Sequence, residues 1–239
     1  MVDLHNHILP GVDDGAAHLD AALTMARQAV FGGTDIMAAS PHRFYGGAEI
    51  TRHTVVEGVR RLQKQLDEQR IPLRLVPAQE LTMRSDTAEG LADGRLLPIG
   101  GPGGRYALIE PPFESLPSGA LALLESVQRL EITPVIAHPE RNSLIQKSLA
   151  FVEACVARGM VLQVTAGSVL GYFGEPAQRA AREIVAHADW RIILASDAHD
   201  TEGRSPGDMR AAVERIAEWT ADSAAAEAMV EERPRALVE

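Results

Sequence analysis

The chain has 239 residues, with 33 acidic against 23 basic side chains, a formal charge of −10 and 46% hydrophobic residues. That is an ordinary globular balance, long enough for one large domain, and the charge argues against nucleic acid or an anionic membrane as principal partner. One cysteine excludes an internal disulfide, no apolar run reaches the roughly 18 residues of a membrane span, and the opening MVDLHNH lacks the order of a signal peptide. The expectation is a cytoplasmic single domain over residues 1–239 with no membrane insertion.

Short β-branched runs alternate with amphipathic stretches. In chain order the pattern predicts a strand over 2–7, a helix over 19–30, a strand over 35–39 and a helix over 55–66. A strand over 73–77 comes directly after, without a long helical stretch before the next strand at 106–109. Then come a helix over 121–130, a strand over 134–137, a helix over 149–156, a strand over 160–164, a helix over 177–185, a strand over 191–195 and a helix over 209–219. Strands alternating with helices imply a parallel sheet, and about seven βα units favour a closed or nearly closed barrel. The cluster PIGGPGG at 98–104 reads as a tight connection. The Ala/Glu-rich end from Ala221 reads as a surface helix.

Five of the eight histidines fall at or just beyond predicted strand ends: His5, His7, His42, His138 and His199. Catalytic groups of a barrel gather on that rim. A lone histidine is more often structural, which is the reading for His18, His53 and His187. Acids share the rim: Asp14 after the first strand, Glu80 after the third, Glu110 after the fourth and Asp197 after the last. Each alone suits a helix cap; alternating with imidazoles, they suit zinc, iron or manganese. In Asp3-Leu4-His5-Asn6-His7, strand alternation points both imidazoles to one side, and Asp197-Ala198-His199 repeats the spacing. Nine candidate ligands exceed the need of one ion and suggest two or three. Four carboxylates against three divalent ions leave a loaded site of roughly +2, which attracts an anionic substrate. Arg141 and Arg204 stand beside these residues, as phosphate clamps or as rim salt bridges.

The segments DLHNHILPGVDDGA at 3–16, SPH at 40–42, PAQE at 77–80, LIEPP at 108–112, AHPERN at 137–142, QVTAGSVLGYFG at 163–174 and ASDAHD with Arg204-Ser205-Pro206 carry a resemblance. The chain resembles the polymerase-and-histidinol-phosphatase (PHP) superfamily. Within it, it is similar to the bacterial metal-dependent protein-tyrosine phosphatases of capsule and exopolysaccharide operons. The resemblance implies a distorted (β/α)7 TIM-like barrel with a three-ion divalent centre, manganese foremost, with iron, cobalt or zinc as alternatives. One ion would take His5, His7, Glu80 and Asp197; a second Glu80, Glu110 and His138; a third Asp14, His42 and His199. Arg141 and Arg204 match the family's phosphate-binding arginines. The implied reaction is hydrolysis of phosphotyrosine by a metal-bridging hydroxide, on a bacterial tyrosine kinase tail. Another PHP phosphomonoesterase, such as a histidinol-phosphate phosphatase, is the alternative. Pro111, Ala78 and Ser40 depart from the common pattern without removing a ligand. Neither partner kinase nor oligomeric state is legible.

Cys155, in FVEACVARGM, is expected in the core; a cysteine phosphatase would need an arginine six residues on, and here Arg158 is three on. Phe44, Tyr45, Phe113, Tyr172 and Phe173 come after predicted strands, either plugging loops onto the mouth or facing a substrate ring. Gln163, Thr165 and Ser168 end a strand with no expected ligand, leaving rim or water hydrogen bonding and loop support open.

Overall fold

The computed structural model describes residues 1–239. In chain order the strands are β1 (Val2–Asn6), β2 (Ile36–Ala39), β3 (Phe44–Tyr45), β4 (Ala48–Glu49), β5 (Arg74–Pro77), β6 (Leu81–Thr82), β7 (Tyr106–Glu110), β8 (Thr133–Ala137), β9 (Val161–Thr165) and β10 (Ile192–Ala195). The helices are α1 (Leu19–Phe31), α2 (Arg52–Glu68), α3 (Thr87–Ala92), α4 (Ala120–Gln128), α5 (Ala150–Val156), α6 (Ala166–Leu170), α7 (Glu175–Val185), α8 (Met209–Thr220), α9 (Ser223–Ala228) and α10 (Glu232–Arg235). Every long strand and helix read from periodicity is present.

All pairings are parallel except the β3–β4 hairpin. One ladder runs β1-β2-β5 and another β10-β9-β8-β7-β6. Two seams join them. Asp197 N–H donates to His5 O (2.8 Å) and His7 N–H to Ala198 O (3.0 Å), stitching β1 to the end of β10. On the other side, β5 and β6 are halves of one interrupted strand. The first half pairs with β2 and the second with β7. The result is a distorted seven-stranded barrel, as the resemblance implied. The interruption carries Glu80 across the mouth, where its N–H reaches Pro41 O (3.1 Å).

Alternate strand residues face opposite ways, and the core divides accordingly. Val2, Leu4, Ile36, Ala38, Leu108, Val135, Val161 and Ile193 form one buried cluster. They come from strands right around the ring, so they meet only through the lumen. The residues between them, such as Ala107, Ile109, Ile136, Leu162 and Leu194, pack against Leu124, Val152, Ile184 and Val213 of the helices. A third cluster seats Leu23, Met25, Val55 and Leu62 of α1 and α2 on Met37 and Ala39.

The tail differs from the expected surface helix. It breaks into α9 and α10, and Met229 and Val230 between them are buried. Val230 O accepts from Val2 N–H (2.6 Å) and Met229 O from Leu194 N–H (2.9 Å), while Leu237 joins the lumen cluster. The tail closes the N-terminal end of the barrel because its apolar residues, spaced too irregularly to make one stripe, satisfy open strand groups there.

Candidate metal centre

The opposite end of the same strands carries the polar residues. A bulge sets the first pair: one extra residue lies in β1 between Asp3 and Asn6 relative to β2, and such an insertion re-aims the side chains beyond it. His5 and His7 then share the mouth, their Nε2 atoms 3.3 Å apart. Nitrogen lone pairs at that distance repel unless a proton or a cation stands between them. The outer nitrogens are held by acceptors. His5 Nδ1–H donates to Gln163 Oε1 (2.8 Å), which also accepts His138 N–H (3.2 Å). His7 Nδ1–H donates to Asp13 Oδ2 (2.7 Å). His199 Nδ1–H donates to Asp197 O (2.9 Å). Such partners fix which nitrogen points inward.

Glu80 is the hub. Its Oε1 lies 3.0 Å from His138 Nε2 and 3.2 Å from His5 Nε2, and its Oε2 lies 2.7 Å from His42 Nδ1. Oε2 is buried yet makes no hydrogen bond of good geometry. Asp197 Oδ1 lies 3.4 Å from His5 Nε2 and 3.5 Å from His7 Nε2. Asp14 Oδ1 sits between His42 Nε2 (3.4 Å) and His199 Nε2 (3.5 Å), and Glu110 stands 3.8 Å from His138.

All nine expected residues are thus brought together. Their donor atoms form four overlapping groups, each spanning at most 4.8 Å: His7–Asp14–His42–His199, His5–Glu80–His138, His5–His7–Asp197 and His42–Glu80–Glu110. The grouping is more interwoven than three separate sets, since His5, His7, His42 and Glu80 each belong to two. An imidazole and carboxylate cage with one acceptor oxygen left over suits hard-to-borderline divalent cations.

Electrostatics point the same way. Burial opposes charge on Glu80, but His5, His138 and His42 outweigh it and hold the carboxyl well below the usual range. Asp197, against the same burial, is kept ionised by His5, His7 and Arg204. Burial disfavours a charged His7, yet Asp13 and Asp197 push it up to about 10. Burial, then the neighbouring charge of Glu80, pushes Glu110 up to about 7. The carboxylates raise the proton affinity of His5, His7 and His42, while burial lowers that of His138 and His199. Two rim residues carry backbone strain: His138 at φ +28° and Asp197 at φ +50°, a cost of about 1–3 kcal/mol each.

Arg141 and Arg204 both donate to Asp197 Oδ2, so here they make the rim salt bridge. Arg204 Nε is buried without a partner. Phe44, Tyr45, Phe113 and Tyr172 are 40–51% exposed, and Phe113 also stacks on His138 at 5.7 Å.

Sequence reasoning misses some contributors and leaves others open. Asp13 is one it misses, although Asp13-Asp14 is a visible pair. Its Oδ2 also accepts His42 N–H (3.0 Å), and Gly15 packs so closely on His7 O that a Cβ would stand 1.9 Å away. Gln163 orients His5 from the protein side. Asp3 accepts from Ser196 N–H (3.0 Å) and O–H (2.6 Å), tying β1 to the β10 end. Arg43, nearly fully buried, clamps Glu49 of the hairpin and Asp86 beside α3. His18 caps α1 and His187 stacks on Trp190 at 3.9 Å. Cys155 lies in the strand–helix layer, and burial pushes its thiol up to about 12.

A family model described as capsular polysaccharide synthesis, CpsB/CapC, matches residues 1–239. Over 205 residues the chain is 36% identical to the tyrosine-protein phosphatase YwqE of Bacillus subtilis, covering 86% of this chain and 80% of that protein. Over 204 residues it is 30% identical to the putative tyrosine-protein phosphatase CapC of Staphylococcus aureus, covering 85% and 79%. A crystal structure from work on YwqE and Streptococcus pneumoniae CpsB, described as unique metal-dependent tyrosine phosphatases, superposes with a TM-score of 0.91 at 32% identity. It covers 100% of this chain and 94% of that one.

Proposed function

The chain belongs to the CpsB/CapC capsular polysaccharide synthesis family, and from that premise we infer that it is a metal-dependent protein-tyrosine phosphatase. The observation that carries the reading is Glu80, a buried carboxylate ringed by three imidazoles with one oxygen short of a proper partner. The proposed ligands are His5, His7, Glu80 and Asp197 for one ion, Glu80, Glu110 and His138 for a second, and Asp14, His42 and His199 for a third. Manganese is the proposed metal. Divalent ions held there supply positive charge for phosphoryl oxygens and make water a stronger acid at neutral pH.

The protein's own groups do the rest. Gln163 and Asp13 fix the inward faces of His5 and His7. Arg141 and Arg204 offer guanidinium donors to the equatorial oxygens, and Arg204 Nε is a donor still unused. A phenol, with a pKa of about 10, leaves without much help from a general acid, and no side chain in the mouth is set aside as one. The exposed rings of Phe44, Tyr45, Phe113 and Tyr172 leave the mouth open-walled, which suits a tyrosine on a protein segment better than an enclosed small molecule.

The proposed substrate is an autophosphorylated tail of a bacterial tyrosine kinase, met at the cytoplasmic face of the membrane. No helix of this chain is long and apolar enough to cross one. The test is phosphate release from a phosphotyrosine peptide, a phosphoserine peptide and histidinol phosphate, each with manganese and after chelation. Chelation-sensitive preference for phosphotyrosine is expected. Preference for histidinol phosphate would move the protein to another branch of the superfamily.

A further inference from the structure

Arg141 and Arg204 reach the mouth from different loops, after β8 and after β10. Besides Asp197, they meet at Phe173. Its ring centroid lies 4.2 Å from Arg141 Cζ and 5.5 Å from Arg204 Cζ. Phe113, itself stacked on His138 at 5.7 Å, covers Arg141 at 4.7 Å. Arg141 is therefore held between two rings, and Phe173 is common to both arginines.

Local backbone geometry sets the ring there. α6 is only five residues long and ends at Gly171, at φ +90°. Tyr172 N–H then returns to Gly167 O (2.8 Å), which lays the next ring over α6. A Cβ on Gly167 would stand 2.9 Å from Phe173 Cε2. Only glycine leaves room for the ring to settle.

We propose that Phe173 is a positioning residue for phosphate recognition: seated on Gly167, its ring holds Arg141 and Arg204 in a common orientation toward the mouth. The proposal rests on the reading of these arginines as phosphate clamps. A guanidinium is drawn to an aromatic face by the ring quadrupole. That attraction does not depend on the charge of Asp197, so it keeps the arginines in place when Asp197 turns to a cation. With Asp197 turned to a cation, the ring still holds the two like charges close, and the donors that Asp197 accepts here become free for an oxyanion.

The test is calorimetric titration of inorganic phosphate into manganese-loaded wild type, Phe173→Leu and Phe173→Tyr, with bound manganese and thermal midpoint measured on each. Phe173→Leu keeps the bulk and removes the ring face. It should weaken phosphate by about tenfold at unchanged manganese content, while Phe173→Tyr stays within about twofold. In an Arg141→Ala background the leucine substitution should cost about threefold or less, because one of its two clients is gone. Gly167→Ala, which dislodges the ring without altering it, should weaken phosphate in the same direction. Unchanged affinity in Phe173→Leu, an equal loss in Phe173→Tyr, or a full tenfold loss persisting without Arg141 would each overturn the proposal. Wild-type turnover of phosphotyrosine is scored separately. Ring-dependent phosphate binding without that turnover would sink the phosphatase reading and leave the positioning role standing.

Discussion

The two ends of one barrel could hardly differ more in chemistry. At the N-terminal end the lumen holds Val2, Leu4, Leu108, Val135, Val161 and Ile193, closed from below by Leu237. A few residues along the same strands, the mouth holds five imidazoles and four carboxylates. At the mouth, His138 and Asp197 lie in the left-handed region and His7 is pushed up to about 10. The lower lumen is apolar, and the ion pairs of the Met1 amine and Arg235 with Asp35 and Glu231 lie outside it. The difference teaches a division of labour: dispersion and dehydration hold the ring shut, and that rigidity keeps a cluster of mutually unfavourable groups assembled where cations can use it.

Substitutions at either end can break or sharpen this comparison. The largest effect belongs to the hub. Glu80→Gln removes the charge shared among three imidazoles, and turnover should fall by on the order of 10³-fold or more, with bound manganese reduced by elemental analysis and the circular dichroism of the fold retained. Next comes the lower lumen. Leu108→Ala should lower unfolding free energy by about 2–5 kcal/mol in urea, while the folded fraction keeps wild-type metal affinity. A loss of metal binding there would mean the two ends are not independent. Smaller still, Gln163→Leu and Asp13→Asn loosen the outer nitrogens of His5 and His7 and the backbone N–H groups of His138 and His42, and each should weaken manganese by about 10–100-fold. The smallest effect is expected at Cys155→Ser, in the outer layer, where turnover should be unchanged; lost activity in a folded protein would reopen the question of the nucleophile.

The mouth is more legible in the sequence than the closure of the barrel. His5, His138 and Asp197 announce themselves because a titratable side chain ending a β-branched run is costly to bury unless it has a polar task there. Glu80 can be placed on the rim, but not as a hub: that depends on the break between β5 and β6, and a two-residue strand such as Leu81–Thr82 leaves no periodicity. The β3–β4 hairpin does leave a signal in Phe-Tyr-Gly-Gly-Ala-Glu, a short two-glycine turn, masked because both strands are exposed. Asp13 and Asp14 are chemically identical, and only the fold decides which one faces His7 Nδ1 and which one faces His42 and His199. Met229 and Val230 read as part of a polar surface helix because their role is to cap the strand groups of Leu194 and Val2, pairings across the chain that no local window contains.

The most direct test of the central claim is anomalous diffraction at the manganese edge from crystals grown with manganese. The account predicts three peaks in the mouth, with Glu80 bridging two of them and Asp14, His42 and His199 around the third. A single peak, or manganese bound away from these nine side chains, would contradict it.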